Sequence, residues 1–75
     1  MQNFKCVELG NITLYYSYET IIAFRDRNGL TISENVWSKT TGKHLNEICT
    51  NKNIRIPYSE FQQKLNALLR AHNLN

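Results

Sequence analysis

An Asn-Gly pair at residues 28–29 lies between two short runs of residues that favour strands, Thr20 to Arg25 and Leu30 to Ser33. Asn-Gly is typical of a tight hairpin turn, because both residues tolerate the positive φ that a type I′ turn requires. A two-residue loop gives the predicted strand pairs, which are Arg27 with Leu30 and Arg25 with Ile32. Any fold of this chain is therefore expected to contain an antiparallel hairpin at this position.

The residues before this hairpin extend it into a sheet. Phe4 to Leu9 is predicted as a first strand, and Gly10-Asn11 as the tight turn that follows it. The next strand is predicted over 12–16. Alternation along this strand predicts that three of its side chains share one face, namely Ile12, Leu14 and Tyr16. The first half of the chain therefore predicts an antiparallel meander of three or four strands.

The end of the chain predicts an amphipathic helix from about Ser59 to about His72. Ser59-Glu60-Phe61-Gln62 has the spacing of a capping box, in which Ser59 is the N-cap and Gln62 reaches back to it. Pro57 prevents the helix from extending upstream. The side chains predicted to share the inner face recur at helical spacing, at Phe61, Leu65, Leu68, Leu69 and His72.

A shorter helix is predicted from Thr41 to about Cys49, with Thr40 or Thr41 as its cap. The side chains expected on its buried side are Leu45, Ile48 and Cys49. Lys52 to Ile56 is predicted as a short extended connector that joins this helix to the C-terminal one. The second half of the chain is therefore predicted to be helical, in contrast to the first half.

The chain has 75 residues, which is enough for one domain and too few for two. The predicted parts of this single domain, 1–75, are a meander at 3–36, a short helix and connector at 37–56, and a C-terminal helix at 57–75. The predicted fold class is α+β: a three- or four-stranded antiparallel meander followed by a short helix and a longer amphipathic helix, both packed on one face. Because so short a chain buries a small core, a homodimer is an open alternative to a monomer.

The two cysteines, Cys6 and Cys49, are too few for a disulfide framework. Polar residues follow Met1 where a secretion signal would have an apolar run, so a cytoplasmic location is expected. Thiols stay reduced in the cytoplasm, and both cysteines are interpreted as small buried hydrophobic residues, with a pairing between them left open. No stretch approaches the roughly 20 apolar residues of a membrane span, so no membrane partner is expected.

The positive charge of the chain lies in its second half. Residues 1–34 carry three Lys or Arg against four Asp or Glu, whereas residues 35–75 carry six against two. Trp37 to His44 places hydroxyls and two lysines around the predicted N-terminus of the shorter helix, where free N–H groups and the helix dipole attract anions. The predicted anion-binding residues are Lys39, Thr40, Thr41, Lys43, His44 and Arg55. The competing interpretation is a capping threonine among solvated lysines.

This basic segment predicts a non-enzymatic binding protein whose partner is a nucleic acid or a nucleotide. The two histidines and two cysteines lack a zinc-binding spacing, and His44 and Cys49 are five residues apart, which does not place them on one helical face. No catalytic residue, metal or cofactor is therefore expected. The alternative function is a protein–protein interaction through aromatic anchors, namely Trp37, Tyr15 and Tyr18.

The specific part of a longer pattern is Ser33-Glu34-Asn35-Val36-Trp37-Ser38-Lys39-Thr40-Thr41-Gly42-Lys43-His44-Leu45. Other parts of the pattern are Ile22 to Asp26 before it and Arg55-Ile56-Pro57, Glu60-Phe61 and Leu65 after it. The pattern resembles a small uncharacterised domain family of phages and prokaryotic mobile elements that has no established function. The resemblance implies a small phage-type accessory protein that binds a component of its host cell. In that context, the alternative function is an inhibitor of a host defence complex, anti-CRISPR-like or another anti-defence protein.

Overall fold

A computed structural model describes residues 3–73 of the chain. The strands are β1 (Phe4–Leu9), β2 (Ile12–Ser17), β3 (Thr20–Asp26) and β4 (Gly29–Ile32), and the α-helices are α1 (Lys39–Ile48) and α2 (Tyr58–Ala71). The sheet order is β1-β2-β3-β4, and every neighbouring pair is antiparallel. The predicted α+β class, with a four-stranded meander followed by a short and a longer helix, is confirmed.

The hairpin between β3 and β4 turns one residue earlier than predicted. The observed pairs are Asp26 with Gly29 and Arg25 with Leu30. The pairs that a 28–29 loop predicted are therefore wrong, namely Arg27 with Leu30 and Arg25 with Ile32. Asn28 N donates a hydrogen bond to Asp26 Oδ1 at 2.9 Å, and Gly29 takes the positive φ of the turn, +108°. This local bond outweighs the preference of Asn-Gly for the two central positions.

The two faces of the sheet carry separate apolar clusters. One cluster consists of Ile12, Leu14, Phe24, Phe61, Leu65 and Leu68. The other consists of Ile22, Ala23, Ile32 and Leu45. Because Leu14 pairs with Phe24 and the next residue, Tyr15, pairs with Ala23, the clusters point to opposite faces. The expectation that both helices pack on one face is therefore wrong: α2 covers one face and α1 the other. Tyr16 packs against the first cluster, which confirms the predicted face of Ile12, Leu14 and Tyr16.

Helix α1 begins two residues earlier than predicted, and Ser38 is its N-cap. Thr41 N donates a hydrogen bond to Ser38 Oγ at 3.2 Å. Asn35 braces the preceding loop, because its Oδ1 accepts from Trp37 N at 3.0 Å and its Nδ2 donates to Ser38 O at 2.9 Å. The prediction that Thr40 or Thr41 is the cap is therefore wrong. Serine and threonine both serve as N-caps, so residue type alone did not distinguish them.

Helix α2 begins at Tyr58, directly after Pro57, so the predicted capping box with Ser59 as N-cap is wrong. Pro57 is at the N-cap position and makes no side-chain capping bond. Tyr58 N donates instead to Glu34 Oε2 at 2.9 Å, across 24 residues of sequence. This carboxylate also places a negative charge at the positive end of the helix. The boundary predicted from Pro57 is confirmed, whereas the cap comes from another part of the chain.

The connector between the helices contains a 3-10 turn at Lys52–Ile54, where an extended segment was predicted. Asn53 N donates a hydrogen bond to Asn51 Oδ1 at 3.0 Å, which favours a turn over an extended backbone. Beyond the turn, Ile56 forms a parallel bridge with Ser33. The connector therefore lies alongside the segment that follows β4 and joins α2 to the sheet.

Replacing Ser38 with alanine is expected to destabilise the protein by about 1 kcal/mol, because Thr41 N loses its capping partner. The matched control is Ser59→Ala, which removes a serine hydroxyl from an exposed position in the first turn of α2. We expect this control to change stability by less than about 0.5 kcal/mol. Urea unfolding of both variants measures the difference. If Ser59→Ala lowered stability by about 1 kcal/mol as well, Ser59 would be the N-cap of α2, which would contradict the observed start of that helix at Tyr58.

Candidate anion-binding surface of helix α1

Under α1 lies a buried polar cluster that joins the helix to β2. Ser17 Oγ lies 2.6 Å from His44 Nδ1 and 3.0 Å from Thr41 Oγ1, both within hydrogen-bond distance. Ser17 is 2% exposed and His44 1% exposed. Because buried polar groups are costly unless they are paired, these mutual bonds allow three polar side chains to lie inside so small a domain. The cluster fixes the position of α1 over the sheet.

Two aromatic rings enclose the imidazole of this cluster. The ring centroid of Phe4 lies 5.5 Å from that of His44, and the Tyr18 centroid lies 5.9 Å from it. Phe4 also stacks on Tyr15, with centroids 6.5 Å apart and planes inclined by 10°. Phe4 belongs to β1, and Tyr18 lies in the turn between β2 and β3. His44 is therefore packed from several directions as a core residue.

Thr41 and His44 were predicted to bind an anion on the surface, and their burial removes them from it. Thr41 and His44 point inward with Leu45, whereas Ile48 and Cys49, expected on the buried side, are half-buried. Thr41 and His44 can face inward because Ser17 is their hydrogen-bond partner there. Ser17 was not among the predicted site residues, since a lone serine at the end of a strand carries no recognisable signal.

Arg55 was also predicted to bind an anion, and in the structure its guanidinium forms a hydrogen bond with another side chain of the protein. Its Nη2 donates to Asn46 Oδ1 on α1 at 2.9 Å. Its Nε is buried and has no hydrogen-bond acceptor. The guanidinium therefore lies against the helix, where it ties the connector to α1, and is only partly available to a ligand.

Three of the predicted residues remain on the surface: Lys39, Thr40 and Lys43 are all exposed on α1. Lys39 and Lys43 are four residues apart, so their side chains are neighbours on one helical face. The first turn of α1 contains no acidic residue, so nothing there offsets the positive end of the helix dipole. These exposed residues, Lys39, Thr40 and Lys43, form a surface that we call the α1 basic face.

Of the three aromatic anchors predicted for a protein partner, only Tyr18 lies largely on the surface, 49% exposed. Trp37 packs against the cluster under α1 and meets Tyr58 edge-on at a centroid distance of 5.4 Å. Tyr15 packs against the same cluster. Trp37 and Tyr15 are therefore partly buried in packing within the domain, and Tyr18 is the anchor that stays available.

Cys6 is an exposed free thiol and Cys49 a half-buried one. The interpretation of both as buried hydrophobic residues is therefore wrong for Cys6, which lies on the edge strand β1. Within residues 3–73, no group of three His, Cys, Asp or Glu side chains is arranged to hold a metal ion. None of the helices in that range has the length and apolar character needed to cross a membrane.

A family model described as a family of unknown function (DUF8033) matches residues 1–63. No curated protein and no solved structure matches the chain. The matched range covers the sheet, α1 with its basic face, and the start of α2. The resemblance to an uncharacterised family with no established function is confirmed.

Proposed function

The chain belongs to this family of unknown function, DUF8033, and we propose that it is a non-enzymatic protein that binds a nucleic acid through the α1 basic face. The observation that carries the proposal is the charge arrangement at the N-terminus of α1. Lys39 begins the helix, Lys43 follows one turn later, and no acidic residue lies in the first turn. Both lysines are exposed, so a phosphate-bearing partner can reach them.

This arrangement is unfavourable for the stability of the free protein. A cation at the N-terminus of a helix faces the positive end of the dipole, which costs roughly 0.3–1 kcal/mol. The repulsion between Lys39 and Lys43, four residues apart, amounts to a few tenths of a kcal/mol, and Glu47, four residues after Lys43, offsets it. A bound phosphate removes the cost at the dipole, because it supplies the negative charge that the first turn lacks. The same features therefore oppose folding and favour an anionic partner.

A polymer suits this surface better than a small anion. The basic face lies on the outside of a helix, and small ligands usually need an enclosing pocket. A nucleic acid brings many phosphates and releases counterions when lysines neutralise them, so it binds without enclosure. Thr40 lies between the two lysines in sequence and adds a hydroxyl that can donate to a phosphate oxygen.

The contact between Ser17 and His44 has the distance of a nucleophile–base pair, yet its surroundings favour a structural role. A nucleophile must reach a substrate, and Ser17 is 2% exposed. Thr41 occupies the space on the other side of the hydroxyl, 3.0 Å away. These contacts support the non-enzymatic part of the proposal.

The proposal is tested by reversing the charge of the basic face in the variant Lys39→Glu/Lys43→Glu. We expect binding of a labelled oligothymidylate of about 12 nucleotides to weaken at least about tenfold, measured by fluorescence anisotropy over a range of salt concentrations. The slope of log K against log salt should fall in magnitude by about 1.4, because two phosphate contacts are lost. Thermal stability should change little, because Lys39→Glu complements the helix dipole, whereas Lys43→Glu places a second negative charge four residues before Glu47.

The matched control is Lys64→Glu/Arg70→Glu, which makes the same change of net charge on the exposed side of α2. We expect this control to retain most of the binding. An equal loss in both variants would show attraction by net charge alone, and unchanged binding in the α1 variant would contradict the proposal outright. A protein partner captured equally by both variants through Tyr18 would favour the inhibitor alternative.

A further inference from the structure

We infer that the groove beside Tyr18 receives one unpaired nucleobase of a single-stranded nucleic acid, with the base stacked on the Tyr18 ring. The groove lies at the turn between β2 and β3, next to the start of β1. It has a volume of about 320 Å³ and is lined by Asn3, Lys5, Tyr18 and Glu19. The inference rests on the proposed function, since the α1 basic face holds the phosphates of the same ligand.

The backbone of Tyr18 is held in a conformation that bulky residues rarely adopt. Its φ is +57°, in the left-handed region where a hairpin turn favours glycine. One hydrogen bond ties this backbone to the chain before β1, because Tyr18 N donates to Asn3 O at 2.7 Å. Non-glycine residues held in this way cluster at binding sites, where the strain is part of the function. Here the result is an aromatic ring presented at the end of the sheet.

The ring of Tyr18 is supported on one side and accessible elsewhere. It contacts the His44 ring, with centroids 5.9 Å apart, and remains 49% exposed. Base stacking requires a ring that is accessible to the base and that keeps its orientation when no base is bound. His44 lies on the inner side of α1, so the Tyr18 ring adjoins the helix whose outer side carries the basic face.

The other lining residues match the polar edge of a base. Asn3 carries both a donor and an acceptor, Glu19 accepts, and Lys5 donates. Unpaired bases are recognised through the same kinds of group on their Watson–Crick and Hoogsteen edges. The Lys5 ammonium is itself held, because Nζ lies 5.1 Å from the centroid of the Tyr16 ring. The groove therefore combines a stacking surface with donors and acceptors at its rim.

The ligand has to be single-stranded, because a base inside a duplex presents neither its face nor its Watson–Crick edge. Base stacking on an aromatic ring is tolerant of sequence, since every base has a π-face. The polar rim adds preference for the base whose donors and acceptors match it. Comparing oligothymidylate with oligouridylate of the same length distinguishes DNA from RNA as the source of that base.

The test uses Tyr18→Gly in the full chain. Glycine suits a φ of +57°, which offsets part of the packing that His44 loses with the Tyr18 ring. We therefore expect the variant to remain folded at the temperature of the assay and to bind oligothymidylate at least about fivefold more weakly. The salt dependence should be unchanged, because the phosphate contacts remain. The matched variants are Tyr18→Phe, which keeps the ring and is expected to keep the affinity, and Tyr18→Asn, which suits the same φ without an aromatic ring.

A second ligand makes the test specific to the base. An abasic oligomer of the same length retains the phosphates and offers nothing to stack, so it should bind the unmodified chain and Tyr18→Gly equally well. Unchanged oligothymidylate binding by Tyr18→Gly and Tyr18→Asn overturns the inference, as does an equal loss for the abasic oligomer. If Lys39→Glu/Lys43→Glu weakens binding while the Tyr18 variants do not, the proposed function stands and only this inference fails.

Discussion

Replacing Phe61 with alanine is expected to destabilise the protein by about 3–5 kcal/mol. Phe61 is fully buried, and its ring packs on Phe24, with centroids 5.8 Å apart. It is the side chain at the start of α2 that fills the cluster between this helix and the sheet. A domain of this length has a total stability of roughly 4–11 kcal/mol, so the expected loss is a large fraction of the whole.

Urea unfolding followed by circular dichroism measures this loss. The control is Gln63→Ala, an exposed position on the same helix, where the substitution leaves the core intact and should change stability by less than about 0.5 kcal/mol. A cost below about 1 kcal/mol for Phe61→Ala would show that α2 does not pack on the sheet through this residue.

Replacing His44 with alanine is expected to lower the free energy of unfolding by about 3–4 kcal/mol. The substitution leaves a cavity between the Phe4 and Tyr18 rings. It also removes the partner that lies 2.6 Å from Ser17 Oγ, so a buried hydroxyl loses one of its bonds. Both effects act where α1 meets β2, and α1 should therefore detach before the rest of the fold.

The neighbouring substitution Lys43→Ala provides the control, because it truncates an exposed side chain on the same helix. Thermal melts should show a large fall for His44→Ala and almost none for Lys43→Ala. Ser17→Ala should cost less than His44→Ala, because it removes a bond without a large cavity. If His44→Ala melts like the unmodified chain, the buried cluster does not hold α1 and the assignment of His44 to the core is wrong.

His44→Ala and Lys39→Glu/Lys43→Glu together separate the effects on stability from the effects on binding within one short helix. The inner side of α1 carries Thr41, His44 and Leu45, which hold the fold. The outer side carries Lys39 and Lys43, which are exposed, and Lys39 lies at the positive end of the helix dipole. Changes on the inner side should lower melting temperature, whereas changes on the outer side should lower nucleic-acid binding alone. A loss of binding in an outer-side variant can therefore be attributed to the missing contact and not to unfolding.

The strands and helices were predictable from the sequence because the signals that specify them are local. The first strand was predicted from Phe4 to Leu9, and the structure has β1 at these residues. The other strands and α2 agree with their predicted bounds to within about two residues, which is the normal uncertainty of element ends. The hairpin register and the cap of α1 were missed, because several neighbouring residues qualified for each role and only the assembled contacts selected one.

The candidate site was predictable only in part. The pattern from Trp37 to His44 marked the right helix and the right lysines. It also included Thr41 and His44, because a motif on a helix does not show which side faces inward. That side was decided by Ser17, which lies 24 residues before Thr41 and 27 before His44. Glu34 capped α2 over a similar separation, and nothing in either local segment indicated it.

The positions of the strands and helices follow from the amino-acid sequence alone, because alternation, helical spacing and turn residues act between near neighbours. Three other features depend on the assembled fold: α1 and α2 cover opposite faces of the sheet, Thr41 and His44 are buried, and Tyr18 is exposed. Burial and hydrogen-bond pairing depend on which residues meet, and these residues are far apart in the chain. Tyr18, whose φ is +57°, shows this most clearly, since its N–H is hydrogen-bonded to Asn3, which lies just before β1 and far from Tyr18 in sequence.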